Sequence, residues 1–235
     1  MARSTPYAHF LGALASWFGA WGVNQVLFQW LVTEWLASPP ALVGTAQMAL
    51  MLPSLLFLLF GGAVADRLDP RRLLVAIHAA TGLAALGLWL LVLTDALSYP
   101  ALIVYALVIG TLQAFAMPAR DTQLSDVVGS DDLSRSVAGL TMAQHTAQIL
   151  GALIGGTAGI LGAGWPIAGQ SALLFAGMWP ASRLPGRPPD PNRRPMRLAD
   201  LRAGIAEVLG SPVLRPVSAL SVVTGAFFIL SLIHI

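Results

Sequence analysis

Hydrophobic positions along this chain do not alternate with polar ones. They run on for about 20 residues or more, the length an α-helix needs to cross a bilayer, and then break at short polar stretches. Six such runs read as spans, roughly His9–Ala37, Ala41–Ala65, Leu73–Thr94, Pro100–Pro118, Ser136–Ala163 and Trp165–Ser182, and a seventh begins at Val213. The first and fifth exceed a minimal span, which predicts tilt or turns outside the membrane. Buried helices of a soluble bundle would need polar faces that these runs lack. Residues 1–8 are too short, and the run after them too long, for a cleaved signal peptide. The pattern therefore predicts an all-α polytopic membrane protein.

After the sixth run the pattern changes. Pro185–Arg197 is rich in proline and arginine and reads as a linker. Leu198, Leu201, Ile205 and Val208 then recur at three- and four-residue spacing between polar positions, which predicts a short amphipathic helix at the membrane surface. The expected organisation is a six-helix bundle over 1–182, a cytoplasmic linker with that helix over 183–212, and a partial seventh span over 213–235. The chain stops about a third of the way into that span, so truncation is expected. Leu230–Ile235, LSLIHI, is also what one reading frame of a transposase end sequence used in library preparation encodes. It is read as an artefact of that origin, the alternative being an ordinary apolar helix tail.

Composition sharpens this picture. Of 235 residues, 56% are hydrophobic and only 10% charged, where a soluble domain carries about a quarter charged. There is no cysteine, which removes disulfides, thiolate metal sites and cysteine nucleophiles. The net charge of +2 is too small to predict nucleic-acid binding. Placement matters more than the sum. All 13 basic residues are arginines, and none lies in the loops around Ser38–Pro40, Asp95–Tyr99 or Gly164. They sit instead before span one and in the loops after spans two, four and six, which predicts a cytoplasmic N-terminus. His78, near the cytoplasmic start of span three, is expected at the surface.

The most informative loop is Gly61-Gly62-Ala-Val-Ala-Asp66-Arg67-Leu-Asp69-Pro70-Arg71-Arg72, between spans two and three. Glycines let helix backbones approach, the aspartate can accept from a helix N-terminus or pair with arginine, and the arginines suit an anionic lipid surface. This loop resembles the G-x-x-x-D-R-x-G-R-R signature of the major facilitator superfamily, with Gly62, Asp66, Arg67 and Arg71 matching and Arg72 beside them. Asp69 stands where that signature has glycine, and Pro70 replaces its first arginine. Trp30-Leu-Val through Ser38-Pro39 to Gly44 and Pro53 is similar to the enterobactin-exporter-like and multidrug efflux branch. So are Pro118-Ala-Arg120 with Leu124, Asp132-Leu133 and Ala138, and Asp200 to Gly204 through Pro212 to Arg215. The resemblance covers about residues 10–225 and implies the N-terminal six-helix bundle of the major facilitator fold plus a partial seventh helix. It implies that Gly62, Asp66, Arg67, Arg71 and Arg72 form a gating loop that holds the outward-facing state against a helix of a second half, absent from this chain. Arg120 lies beyond Pro118, so the superfamily's proton-linked arginine of span four has no counterpart.

Polar residues inside the spans are the candidate substrate contacts, because burial in lipid is costly. They are Asn24, Gln25 and Gln29 in span one, Gln47 in span two, Gln113 in span four, and Gln144, His145 and Gln148 in span five. The resemblance implies that spans one, two, four and five line a central cavity. For each residue singly, hydrogen bonding between helices is the competing role. Glu34 and His145 are the titratable candidates for proton coupling. Gly151, Gly155 and Gly159 repeat at four-residue spacing and predict close helix packing, resembling the exporter-associated motif without its Gly-Pro pair. The function expected is proton-coupled efflux of a small amphipathic, siderophore- or drug-like molecule across the bacterial inner membrane. Its expected partners are that substrate, the bilayer and the missing six-helix half, with no nucleic acid, cofactor or metal. A membrane-embedded lipid-modifying enzyme would need clustered Asp, His or Glu ligands. Asp66, Asp69, Asp131 and Asp132 are the only clusters, and they lie on loops beside arginines. A natural half-transporter acting as a dimer is the other alternative. Residues 1–235 by themselves are not expected to transport.

Overall fold

The computed structural model describes residues 5–65, 67–128, 133–186, 210–212, 215–216 and 223. The chain divides into two compact units, Met1–Asp190 and Pro191–Ile235. In the second, the Arg215 N–H donates to the Ser211 carbonyl at 3.1 Å. The linker beyond Gly186, the amphipathic helix and nearly all of the seventh span lie outside the described residues, as do Asp66, Asp131 and Asp132.

The described residues of the first unit form helices joined by short turns: α1 (Thr5–Trp30), α2 (Pro40–Ala65), α3 (Pro70–Leu93), α4 (Tyr99–Val127), α5 (Leu133–Gly156), α6 (Ala158–Leu161) and α7 (Gly164–Ser182). Three of these, α2 over Pro40–Phe57, α3 and α4, are long and apolar enough on their own to cross a membrane. A stripe on α2, Met48, Leu52, Leu55, Leu56 and Phe60, is exposed at 45–72% of its surface, as are Ile149 and Leu153 on α5. Asn24, Thr81 and Gln170 are buried. Large apolar side chains outside and polar ones inside fit lipid rather than water as the surrounding medium.

Three expected boundaries shift. α1 continues into a wide π-helical turn, Leu31–Trp35, closed by the Leu36 N–H on the Leu31 carbonyl at 3.0 Å, and ends at Ala37 with φ 46°. That turn accounts for the excess length of the first run. The fifth run is two elements: the helix breaks after Gly156, where the Thr157 side chain donates back to the Ile154 carbonyl at 2.6 Å. Span four was expected to end at Pro118, yet α4 runs through it to Val127. A proline there deprives the Ala114 carbonyl of its helical donor. That carbonyl lies instead against Gly61 of α2, so close that no Cβ would fit, and such Cα–H···O contacts between helices are favourable.

The packing is pairwise. α1 lies along α5, α2 along α4, and α3 along α7, while α7 also packs on α1 and α3 on α4. Exchanging α1, α2, α3 with α4, α5, α7 maps this set of contacts onto itself. That is the signature of two three-helix repeats, as in the halves of major-facilitator carriers.

Candidate functional site

Four helices converge on one polar centre. The Tyr105 hydroxyl of α4 donates to Asn24 Oδ1 of α1 at 2.6 Å. Gln170 Nε2 of α7 donates to the same Oδ1 at 3.3 Å and to the Tyr105 oxygen at 3.2 Å. Thr81 of α3 and Gln113 of α4 line the same small cavity with Asn24 and Gln170. Its volume is about 10 Å³, room for about one water and far below a substrate site. Asn24 and Gln113, both expected as substrate contacts, therefore stand at the junction of helices inside the bundle. Tyr105, Thr81 and Gln170 were not singled out in the sequence. Gln170 carried the same signal as the others, an amide within an apolar run; Tyr105 and Thr81 carried none.

The other polar positions lie further out. Gln47 of α2 donates to Gln29 of α1 at 2.6 Å, tying those two helices together. Gln25 is exposed on α1, with Gln29 one turn on and half-buried. On α5, His145 is exposed, and Gln144 and Gln148 are half-buried. Glu34 is exposed in the π-helical turn. Gly151 meets the carbonyl of Gly19, and Gly155 that of Val23, in close contact between α5 and α1. Gly159 falls in α6, near the Trp30 indole.

At the arginine-bearing end the loop before α3 is built around Asp69. Its carboxylate accepts from the Arg71 N–H at 3.1 Å, capping α3, with Pro70 at the first helical position, where proline costs nothing. The Arg71 and Arg72 guanidinium groups lie 3.8 and 3.7 Å from it. Both arginines are partly in solvent, so these pairs are worth at most about 1 kcal/mol, comparable with the cap itself. Asp69, the departure from the signature, thus organises this end of α3. Arg67 is exposed, and Gly62 has open space where a Cβ would stand. Gly186 packs against Arg71 and Asp69, and the buried Gln123 donates to the Pro185 carbonyl at 3.1 Å. The start of the linker is therefore held under the loop.

Two residues stand elsewhere than expected. His78 is not at the surface: it is 2% exposed, its Nδ1–H donates to the Leu74 carbonyl at 2.9 Å, and its ring lies 5.3 Å from that of Trp17. Room for it exists because Gly177 of α7 has no Cβ, which would stand 2.8 Å from the imidazole. Arg120 belongs to α4 rather than to a loop, with its guanidinium 5.0 Å above the Phe18 ring of α1, a cation–π contact worth about 0.5–2 kcal/mol.

Among the described residues, an all-helical bundle of paired repeats with apolar outer stripes defines a multi-pass membrane protein. A family model described as transmembrane secretion effector matches residues 7–229, and the chain belongs to that family, within the major facilitator superfamily. It is similar to the enterobactin exporter EntS of Escherichia coli O1:K1 / APEC, of Escherichia coli O157:H7 (strain EC4115 / EHEC) and of Shigella boydii serotype 18. Identity is 26% over 167 residues in each case, 69% of this chain and 39% of the relative. The aligned stretch thus spans about two-fifths of the length of these relatives.

Proposed function

We propose that this chain forms the N-terminal six-helix half of a secondary active exporter of small amphipathic molecules, siderophore- or drug-like, in the bacterial inner membrane, with its N-terminus cytoplasmic. The observation that carries the reading is the polar set on α1, α2 and α5: Gln25, Gln29, Gln47, Gln144, His145 and Gln148. Side chains of this kind are expensive at membrane depth and mark substrate pathways. The carrier would work by rocking this bundle against a second one around a shared site. Glu34 and His145 are exposed and titratable, which suits them to proton coupling. Gly62, Asp66, Arg67, Arg71 and Arg72 would gate the cytoplasmic side, with Asp69 fixing the start of α3 beside them. The described arginines after α2, in the last turns of α4 and after α7 favour the cytoplasm for that end.

The test uses the full-length gene product in efflux-deficient cells loaded with a fluorescent amphipathic dye. Efflux is expected to stop on addition of a protonophore. Replacing Gln25, Gln29 and Gln144 together by leucine should slow it by about 10-fold or more, the loss of two or three hydrogen bonds of about 1 kcal/mol each. Unchanged efflux in that variant, at equal protein level, would remove the polar set from the transport path. Efflux that ignores the protonophore would remove proton coupling.

A further inference from the structure

The polar centre of the bundle has four buried atoms without a hydrogen-bond partner among the described residues: Asn24 Nδ2, Thr81 Oγ1, Gln113 Oε1 and Gln170 Oε1. Their owners come from α1, α3, α4 and α7, and all four line the same cavity. The bonds already made favour one orientation of two amides. At 2.6 Å the Tyr105–Asn24 contact suits O–H···O better than N–H···O, so the Asn24 oxygen faces the phenol and Nδ2 is left over as a donor. Gln170 spends its Nε2 on Asn24 and Tyr105, so its oxygen is left over as an acceptor. Leaving one such group unmade is costly in a protein interior, and more so in a bilayer. All four belong to residues that line one small space, where a single partner can serve them together.

We propose that this cavity is a binding site for a single structural water that locks the two three-helix repeats together. A water offers two protons and two lone pairs. It would donate to Gln113 Oε1 and Gln170 Oε1 and accept from Asn24 Nδ2 and the Thr81 hydroxyl, meeting every unspent group once. The volume of about 10 Å³ has room for roughly one such molecule. A sodium ion fits the donor set worse. No carboxylate lines the cavity to offset its charge, and the Asn24 Nδ2–H group would be turned toward it. Asn24 and Thr81 belong to the first repeat and Gln113 and Gln170 to the second, so the water bridges both. It lets α1, α3, α4 and α7 meet at their polar centre without stranding a group in lipid.

Two measurements on the full chain in nanodiscs decide this, and both must succeed. A structure at a resolution that shows ordered waters should contain one density peak within hydrogen-bond reach of at least three of the four atoms. In thermal unfolding, Thr81→Val and Gln113→Leu should each lower the midpoint by about 2–4 °C, while Thr81→Ser changes it little. Their double variant should lose clearly less than the sum, because each single change already weakens the same water. Absence of the peak, or additive losses, would overturn the proposal. So would a rise in midpoint with sodium over choline chloride, which would make the guest a cation.

Discussion

The two pairs α1/α5 and α2/α4 occupy equivalent places in the repeats, yet they achieve close contact by different means. In α1/α5 the glycines are dense and reciprocal. Gly22 faces the Gln148 carbonyl, Gly151 that of Gly19, and Gly155 that of Val23. In α2/α4 one glycine from each helix suffices: Gly110 faces the Leu50 carbonyl and Gly61 that of Ala114. There prolines take part. Pro118 frees the Ala114 carbonyl that Gly61 meets, and the Pro53 ring lies 3.3 Å from where a Cβ of Gly110 would be. The first pair therefore relies on small residues along a seam, the second on single notches matched to proline-altered backbone.

The largest effect follows from this contrast. Gly22→Val and Gly110→Val each push a side chain into a backbone carbonyl that has nowhere to go. Each is expected to cost at least about 3 kcal/mol and to abolish a monodisperse peak in size-exclusion chromatography. If Gly110→Val survives while Gly22→Val does not, α2/α4 is the looser contact and the equivalence fails. A smaller step uses adjacent glycines. Gly61→Ala should destabilise by about 1–3 kcal/mol, whereas Gly62→Ala, in open space, should be neutral or gain up to about 1 kcal/mol in helix propensity. Thermal midpoints of the two variants should move in opposite directions or differ clearly. Equal losses would mean that the notch is not at Gly61.

This contrast also marks what could be read from the residues. The α5 glycines stood out because they repeat at four-residue spacing. Gly110 sits singly in an apolar run, and only its carbonyl neighbour on another helix explains it. The run lengths and the loop motif gave the all-helical class and the family, since both are local properties of the chain. Pro118 looked like a helix end because its cost is local, while the compensation comes from α2. His78 looked exposed for the same reason: its room is made by Gly177, a hundred residues away in sequence. At the polar centre, amides were legible as anomalies in apolar runs. Tyr105 was not, because an aromatic ring belongs in such a run and only its hydroxyl is out of place.

Polar links hold the two pairs to each other, and they should be weaker than the glycine contacts. Tyr105→Phe removes the shortest bond between α1 and α4 and leaves Asn24 Oδ1 with Gln170 only. A loss of about 1–2 kcal/mol is expected, read from denaturant unfolding in detergent. A loss as large as that of Gly22→Val would mean that the polar centre, rather than the seams, dominates the bundle.

The smallest effect belongs to Gln47→Leu, which cuts the 2.6 Å link from α2 to α1. Both glutamines are half-buried, so the Gln29 oxygen can find another partner once Gln47 is gone. Hydrogen bonds between membrane helices average about 0.6 kcal/mol in such circumstances. A midpoint shift of only about 1–2 °C is therefore expected, measured against Tyr105→Phe in the same detergent. The transport reading makes the opposite demand on these residues. If Gln29 and Gln47 line the substrate path, Gln47→Leu should impair efflux by the full-length protein far more than it impairs stability. Proportionate losses of both would place the pair with the stitching between α1/α5 and α2/α4, and leave Gln25 and the α5 side chains to contact the substrate.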